Sequence, residues 1–519
     1  MPFRLGVSPP VDRATTRHLW LLLILTVFIQ GAMYLAYPLP VTNDDDNQAA
    51  QSYLIDELLS GKLLIGNVRY NTGYAFIMAP VRALTGVLGR LDDRAFLLVQ
   101  MLAYSAIPFM VYDMMRRRFD GRAAFITALV VLVDPFSLQW AHFQLPEWLI
   151  AVVAVSALWL ATLAWSARRK RRLTLVALAA IGLGLMTIAR LNFAPLVAIF
   201  GGSFLFWRHI RLGQRLTLFA LVGVLSAGIL ALYVLLIQIP STGSSRLSCT
   251  SGTTLLSAAH HKGLPLRASN GPHSARYAAL LTLKDEQNAT IKPGNYQYWR
   301  IPGPWVSKAA QEAFFAGATG ELQEEITIYF PAELFSHLGP CPLDTLLTDV
   351  ALEAIALHAS KFALEILQAI FSMVILHPSE LTFPPQYLEG PQDIAFIGEG
   401  ALGFYRAESD LYNGHRVWKP GIVLYSHLFP ILNLLKLLTP IAIIAACWKR
   451  DWLLVTTVIL FIISLTVIAT AATEEPRYFA MVTPLGSMLV GWFLAEVIQR
   501  ISSAQPRNRG GRQAQHNSP

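Results

Sequence analysis

Long apolar runs constrain this chain more than any other feature. A helix needs about 20 apolar residues to cross roughly 30 Å of hydrocarbon, and such runs recur along the sequence. The clearest are Leu19–Ala36, Ala95–Tyr112, Leu145–Trp165, Leu216–Ile239, Ile422–Trp448, Trp452–Ala472 and Tyr478–Ile498. The chain has 519 residues, of which 54% are hydrophobic and 14% charged. A soluble chain of this length could not bury so many apolar residues in its cores. The sequence predicts an all-α polytopic membrane protein.

Three weaker runs lie between the strong ones, namely Ala123–Val133, Leu173–Ala189 and Asn192–Trp207. They are short or interrupted by Gly and Pro, but the direction of the chain requires a crossing at each. The prediction is therefore about ten transmembrane helices. The first run leads into Tyr-Pro-Leu-Pro rather than a small-residue cleavage site, so we expect it to be retained as a span.

Basic clusters fall in every second loop, which is the pattern of cytoplasmic loops. They contain Arg4, Arg13, Arg17, Arg116–Arg118, Arg122, Arg168–Arg172, Arg208, Arg211, Arg215, Lys449, Arg450, Arg500, Arg507, Arg509 and Arg512. This pattern predicts a multi-pass protein of the plasma (inner) membrane with both termini cytoplasmic. It also accounts for the net charge of +8 without a nucleic-acid partner.

This topology divides the chain into four parts. Residues 1–239 form a transmembrane module of seven spans with an acidic first outer loop at 37–94. Residues 240–421 form one sizeable extracytoplasmic domain of mixed composition, with an amphipathic helix near 346–377 lying along the interface. Residues 422–498 add three spans, and 499–519 form a disordered basic cytoplasmic tail.

Two cysteines of the outer domain, Cys249 and Cys341, are open to two interpretations. In an oxidising compartment they could form one disulfide. They could equally remain two free thiols.

Acidic residues stand at two places on the predicted outer side. Asp44, Asp45 and Asp46 follow the first span and precede helices that we expect to lie along the membrane surface. They either cap a helix or, because three adjacent carboxylates repel each other, hold a metal or accept a substrate proton. Glu147 enters the outer end of an apolar span, where a carboxylate either reaches to the interface or serves a function.

Two cations break the positive-inside pattern. Arg190 and Arg477 both lie at predicted outer ends of spans. Arg477 has Glu474 and Glu475 beside it, so a local ion pair would account for it. Arg190 has no acid nearby in sequence, and a lipid phosphate would suit its planar fork.

Five motifs in order resemble one family. They are Asn43-Asp44-Asp45-Asp46 followed by Asn71-Thr72-Gly73-Tyr74, then Pro146-Glu147-Trp148-Leu149, then Gly182 to Arg190, then Asp349 to His358, then Glu475-Pro476-Arg477-Tyr478. This order is similar to the GT-C class of polyprenyl-phosphate-sugar glycosyltransferases, which includes the protein O-mannosyltransferases and the lipid A aminoarabinose transferase. One departure is Ala359, where the family usually has Pro.

The resemblance implies inverting transfer of a sugar from a polyprenyl-phosphate donor to a hydroxyl of a glycan, lipid or protein acceptor, at the outer surface. One of Asp44, Asp45 and Asp46 would accept the proton, and Glu147 would orient the acceptor. Arg190, Arg477 and Tyr478 would contact the donor phosphate. Asp45 and Glu147 could hold a divalent cation such as Mg, Mn, Ca or Zn, which some members use.

Two other functions fit many spans with cations on the outer side. One is a transporter or flippase of a lipid-linked saccharide, although transporters usually carry their ionisable residues near the midplane and show paired halves. The other is a non-catalytic relative that binds a lipid-linked glycan.

Overall fold

We describe a computed structural model of the chain. It describes residues 12–36, 54–56, 58–60, 73–87, 92–134, 146–242, 245–246, 251–287, 340–375, 396–397, 405–406, 434–471 and 481–504. Asp44, Asp45, Asp46, Cys249, Arg477 and Tyr478 lie outside these ranges.

Helices dominate the described part of the chain. The N-terminal half of the chain contains α1 (Arg13–Ala36), α2 (Gly73–Gly86), α3 (Asp92–Arg118), α4 (Gly121–Leu132), α5 (Pro146–Ser166), α6 (Arg169–Ala189), α7 (Ala194–Ser203), α8 (Leu212–Tyr233) and the short α9 (Ile239–Thr242). The later parts contain α10 (Ser251–His261), α11 (Pro272–Gln287), α12 (Pro340–Leu357), α13 (Ala359–Ile375), α14 (Thr439–Lys449), α15 (Trp452–Ala471) and α16 (Thr483–Ala504). Turns of 3-10 helix cover Leu191–Phe193, Phe204–Phe206, Ala268–Asn270 and Leu435–Leu438.

Six of these helices are long and apolar enough to cross a membrane. They are α1, α3, α5, α6, α15 and α8 with its π-helical extension to Gln238. Helix α4 and the segment 191–206 are apolar but shorter. The prediction of a helical integral membrane protein is confirmed, while the count of ten spans and the domain boundaries stay predictions.

The weak run Leu173–Ala189 lies within a full helix, α6, of 21 residues. Gly184 in this helix is a position of close packing rather than an interruption. A Cβ on Gly184 would stand 2.9 Å from Ile229 Cδ1 and 3.2 Å from Ser226 Cα. Because glycine lets α8 approach, and because Ser226 donates to Ala180 O at 2.9 Å, α6 and α8 pack backbone against backbone.

The described transmembrane helices form one bundle with a continuous core. Helix α3 packs on both α4 and α5, and α6 packs on both α5 and α8. The C-terminal helices close the bundle, since α16 packs along α4 and α15 packs on α7.

Consecutive helices run in opposite directions, so alternate loops gather at the same end of the bundle. The two ends therefore differ in chemistry. At one end the basic loops meet in an aromatic cluster, where the Arg118 guanidinium lies 4.1 Å from the Trp165 ring. The Trp165 ring lies 4.9 Å from that of Trp207 and 5.4 Å from that of Trp452. At the other end lie the start of α5, the end of α6 and the start of α16.

Helices α10, α11 and α12 form a separate small unit with its own core. Helix α12 packs on both α10 and α11, and its carboxylates cap both helices. Asp344 accepts from the Gly252 amide at 2.6 Å. Glu353 accepts from the amides of His273 and Ser274 at 3.0 and 2.8 Å. Tyr277 is buried in this core, and burial raises its pKa above the ordinary tyrosine value.

The predicted amphipathic stretch Leu346–His377 is divided between α12 and α13, with a turn at His358. Helix α13 packs against α14 and α15, so this stretch joins the small unit to the bundle. Two short strands, Phe396–Ile397 and Tyr405–Arg406, pair antiparallel with Phe396 opposite Arg406. Residues 54–56 and 58–59, inside the helix predicted after the acidic cluster, are helical.

Candidate functional site

A buried ion pair joins two of the predicted site residues. Glu147 lies in the first turn of α5 and is 1% exposed, and Arg190 is the C-cap of α6, with an extended backbone. Arg190 Nη2 donates to Glu147 Oε1. The side chain of Arg190 keeps 22% of its surface exposed, so the pair has a buried acid and a cation open to the end of the bundle.

The second oxygen of the same carboxylate is available as an acceptor. Glu147 Oε2 is buried and has no hydrogen-bond partner among the described residues. A buried carboxylate oxygen without a partner is costly. Such an oxygen indicates a place where a hydroxyl, an amide or a cation completes the site.

Tyr74 is the buried neighbour of this pair. Its side chain is 0% exposed, and its hydroxyl accepts from Trp148 Nε1 at 3.3 Å. Burial above all, together with the negative charge of Glu147, raises the pKa of the Tyr74 phenol above its ordinary value. The phenol therefore stays protonated at neutral pH.

Gly73 permits the contact that places Tyr74 here. A Cβ at Gly73 would stand 1.8 Å from the Ile188 carbonyl oxygen, which no side chain could accommodate. The start of α2 therefore docks directly on the end of α6, two residues before Arg190. The motif containing Gly73 and Tyr74 is thus brought to the motifs of Glu147 and Arg190, while the roles of these residues remain hypotheses.

Asp44, Asp45 and Asp46, with Arg477 and Tyr478, fall outside the described residues. The disulfide between Cys249 and Cys341 stays a prediction for the same reason. Within the described ranges, no group of three or more His, Cys, Asp or Glu side chains could hold a metal.

A second polar cluster at this end was missed by the sequence analysis. Asp134, just after α4, is 3% exposed and accepts from the Ser487 hydroxyl. Lys436 Nζ lies 3.7 Å from Asp134 Oδ2. A signal was present, because Lys436 interrupts the apolar run of residues 434–438 and an ionisable residue in such a run is usually functional or paired.

Comparison with known proteins adds one family match. Residues 74–237 match the family described as Dolichyl-phosphate-mannose-protein mannosyltransferase. No protein with a curated description matches the chain.

Two solved structures are similar over most of the chain. One is archaeal oligosaccharyltransferase AglB from Archaeoglobus fulgidus, in complex with an inhibitory peptide and a dolichol-phosphate, with 14% identity and a TM-score of 0.42. The other is ArnT from Cupriavidus metallidurans bound to undecaprenyl phosphate, with 13% identity and a TM-score of 0.36.

The two comparisons differ in coverage. Each covers 95% of this chain, but the chain spans 52% of AglB and 82% of ArnT. The family match at 74–237 covers Tyr74, Glu147 and Arg190. Over that segment, the resemblance of the chain to the GT-C glycosyltransferases is confirmed.

Proposed function

We propose that this protein is a membrane glycosyltransferase that moves a sugar from a polyprenyl-phosphate donor to an acceptor hydroxyl on the extracytoplasmic side, with inversion at the anomeric carbon. The observation that carries the proposal is the buried Glu147–Arg190 pair, which lies in the segment that matches the mannosyltransferase family.

Arg190 is suited to contact the donor phosphate. Its guanidinium carries five N–H groups, and Nη2 donates to Glu147. The side chain is partly exposed at the end of the bundle. As the bond from the anomeric carbon to the phosphate oxygen breaks, negative charge accumulates on the phosphate. A cation fixed by a buried carboxylate stabilises that charge without having to reorganise. Arg477 and Tyr478 are proposed to add contacts to the same phosphate.

A carboxylate of the acidic cluster is proposed as the base. One of Asp44, Asp45 and Asp46 takes the proton of the acceptor hydroxyl while the acceptor oxygen attacks the anomeric carbon. The attack occurs opposite to the leaving phosphate, so the configuration inverts. Glu147 Oε2, which is a buried acceptor, is proposed to orient a hydroxyl of a substrate.

A divalent cation could be bound by only one of the two carboxylate oxygens of Glu147. Oε1 is engaged by Arg190, and Oε2 remains as a ligand, with Asp45 as the other proposed ligand. A cation there would stabilise negative charge on the leaving phosphate. An oligosaccharyltransferase from Archaeoglobus fulgidus, which is similar in structure to this chain, was solved in complex with zinc and sulfate.

Sugar transfer by the purified protein tests the proposal. The full chain is reconstituted in liposomes with radiolabelled polyprenyl-phosphate sugars and membrane extract as the source of acceptor. We expect transfer to fall by about a hundredfold or more in Glu147→Gln and in Arg190→Gln, the range for loss of a preorganised electrostatic contact.

The matched control is Glu496→Gln. Glu496 pairs with Lys449 at 2.9 Å in an exposed ion pair at the opposite end of the bundle, so this variant should keep wild-type transfer. Unchanged transfer in both site variants would contradict the proposal. Movement of labelled lipid across the bilayer without any transfer would favour a flippase instead.

A further inference from the structure

Two buried groups beside Arg190 lack hydrogen-bond partners of opposite kinds. Glu147 Oε2 is an acceptor without a donor among the described residues. The Tyr74 hydroxyl is 0% exposed and accepts from Trp148 Nε1 at 3.3 Å, but it donates its own hydrogen to no residue that the structure describes. The site therefore keeps one buried donor and one buried acceptor for a further group.

Trp148 places the Tyr74 phenol beside the Glu147 carboxylate. Trp148 follows Glu147 in the first turn of α5, and its hydrogen bond to Tyr74 ties the start of α2 to that turn. Burial, and after it the negative charge of Glu147, raises the pKa of the phenol, so the phenol keeps its hydrogen close to the carboxylate. No direct hydrogen bond joins the two groups. Each stays costly to bury until a polar group completes it.

A hydroxyl is the group that satisfies both. It donates its hydrogen to Glu147 Oε2 and accepts the hydrogen of Tyr74 with an oxygen lone pair. An ammonium group only donates, so it would leave the phenol hydrogen without an acceptor, and a metal cation would do the same. A carbonyl only accepts, so it would leave Glu147 Oε2 without a donor.

The position of Arg190 indicates which substrate carries this hydroxyl. Arg190 is proposed to contact the donor phosphate, and it donates to the other oxygen, Oε1, of the same Glu147 carboxylate. The sugar of the donor is bonded directly to that phosphate, so a sugar hydroxyl comes close to Oε2 when the phosphate meets Arg190. The acceptor approaches the opposite face of the sugar, because it attacks from the side away from the leaving phosphate. The hydroxyl therefore belongs to the donor sugar.

We propose that Tyr74 and Glu147 Oε2 together bind one hydroxyl of the sugar in the lipid-linked donor, and that Tyr74 thereby contributes to the choice of sugar. This inference rests on the proposed glycosyltransferase function. A site built to hydrogen-bond a hydroxyl rejects the analogue that lacks it, because the buried groups of the site then stay unpaired. Here both the phenol and the carboxylate would lose their partner at once.

Donors that lack single hydroxyls test the proposal on the purified full chain in liposomes. Polyprenyl-phosphate mannose, glucose and arabinose are compared first, and the best donor is then prepared with each sugar hydroxyl in turn replaced by hydrogen. We expect one deoxy donor to lose about a hundredfold in kcat/KM with wild type, since it forfeits one neutral and one charged hydrogen bond. Tyr74→Phe should lower kcat/KM about tenfold for the complete donor. It should leave kcat/KM unchanged for that one deoxy donor, which has no hydroxyl for the phenol to contact.

The matched control is Tyr277→Phe, which removes a phenol oxygen from the core of the small unit and should keep wild-type values for every donor. An equal loss in Tyr74→Phe with the complete donor and with all deoxy donors would show that the phenol only supports the fold, and would overturn the inference while the transfer activity stands. Equal use of all donors by wild type would overturn it as well, even if Tyr74→Phe does not fold.

Binding of the same donors provides a readout that does not depend on transfer. Native mass spectrometry of wild type in detergent should show the same deoxy donor binding more weakly than the complete donor and than the other deoxy donors. If no donor supports transfer, the proposed function fails, and this comparison still decides whether the site binds a sugar hydroxyl. Equal binding of all donors would overturn the inference.

Discussion

Arg190 is held at the end of the bundle by a buried carboxylate. Its place at the predicted outer end of a span, without an acid nearby in sequence, indicated an anionic partner. The structure provides an internal one, Glu147, which lies 43 positions earlier. Both residues could be predicted as site residues from their unusual positions. Their contact could not, because it depends on how α5 packs against α6.

The ion pair predicts a separation of stability from activity. Arg190→Met leaves Glu147 buried without its partner, which should cost about 3–5 kcal/mol of unfolding free energy. In Glu147→Leu/Arg190→Met the buried charge is gone, so most of that stability should return while sugar transfer stays lost. Denaturation in detergent and the transfer assay measure the two quantities. Recovery of transfer in the double variant would show that the pair only supports the fold.

Gly73 predicts an effect of a single methyl group. Gly73→Ala places a Cβ against the Ile188 carbonyl, so α2 must shift from α6 and carry Tyr74 away from Glu147. We expect a loss of about 1–3 kcal/mol, as for other overpacked positions, together with reduced transfer.

The control for this prediction is Gly228→Ala on α8. A Cβ at Gly228 meets nothing within 4 Å, so this change should be neutral or stabilise the helix slightly. Equal thermal stability of the two variants would contradict the close approach of α2 to α6.

At the scale of elements, α12 organises the small unit beside the bundle. Its two carboxylates, Asp344 and Glu353, cap the starts of α10 and α11. The sequence indicated an amphipathic helix here through its apolar period, but not that its polar residues serve as caps for distant helices. The turn at His358 also carries no Pro or Gly, the residues that usually announce a break.

Glu353 predicts a pH-dependent contribution to stability. Partial burial opposes ionisation, but the hydrogen bonds from Ser274 and from the amides of His273 and Ser274 lower the pKa of Glu353 below its ordinary value of 4.5. Its contribution is therefore fully present well above pH 4.5 and is lost as the pH falls through the lowered pKa.

Melting of wild type and Glu353→Gln measures this contribution. At pH 7 the variant should be less stable by about 1 kcal/mol, the usual value of a helix cap. The difference between the two proteins should shrink as the pH falls below 4.5. A difference that stays constant across this range would show that the carboxylate charge does not contribute.

At the scale of the whole molecule, the apolar runs predicted the bundle because each span must satisfy its own backbone within lipid. The order of packing could not be predicted in this way. Helix α16 packs along α4 and thereby brings Ser487 to Asp134, 353 positions away in the chain. A cluster of this kind depends on how spans pair, which no local pattern encodes.

The chain provides its own probe of orientation. Cys447 is exposed near the end of α14 that leads to Lys449. In a Cys249→Ser/Cys341→Ser background, a membrane-impermeant maleimide should label Cys447 only after the cells are opened, because the basic loops are predicted to be cytoplasmic. Labelling of intact cells would overturn the predicted topology and place the Glu147–Arg190 pair inside.

The two carboxylates of α12 that cap α10 and α11 also determine when the small unit can fold during synthesis. The amide of Gly252 donates to the Asp344 carboxylate, 92 positions downstream, and the amide of Ser274 donates to the Glu353 carboxylate, 79 positions downstream. Contacts this distant in sequence form late, because loop closure must precede them. Helices α10 and α11 would therefore leave the ribosome without caps and without their main packing partner. The unit should become resistant to protease only once residue 357 has emerged, well after the preceding spans have been inserted.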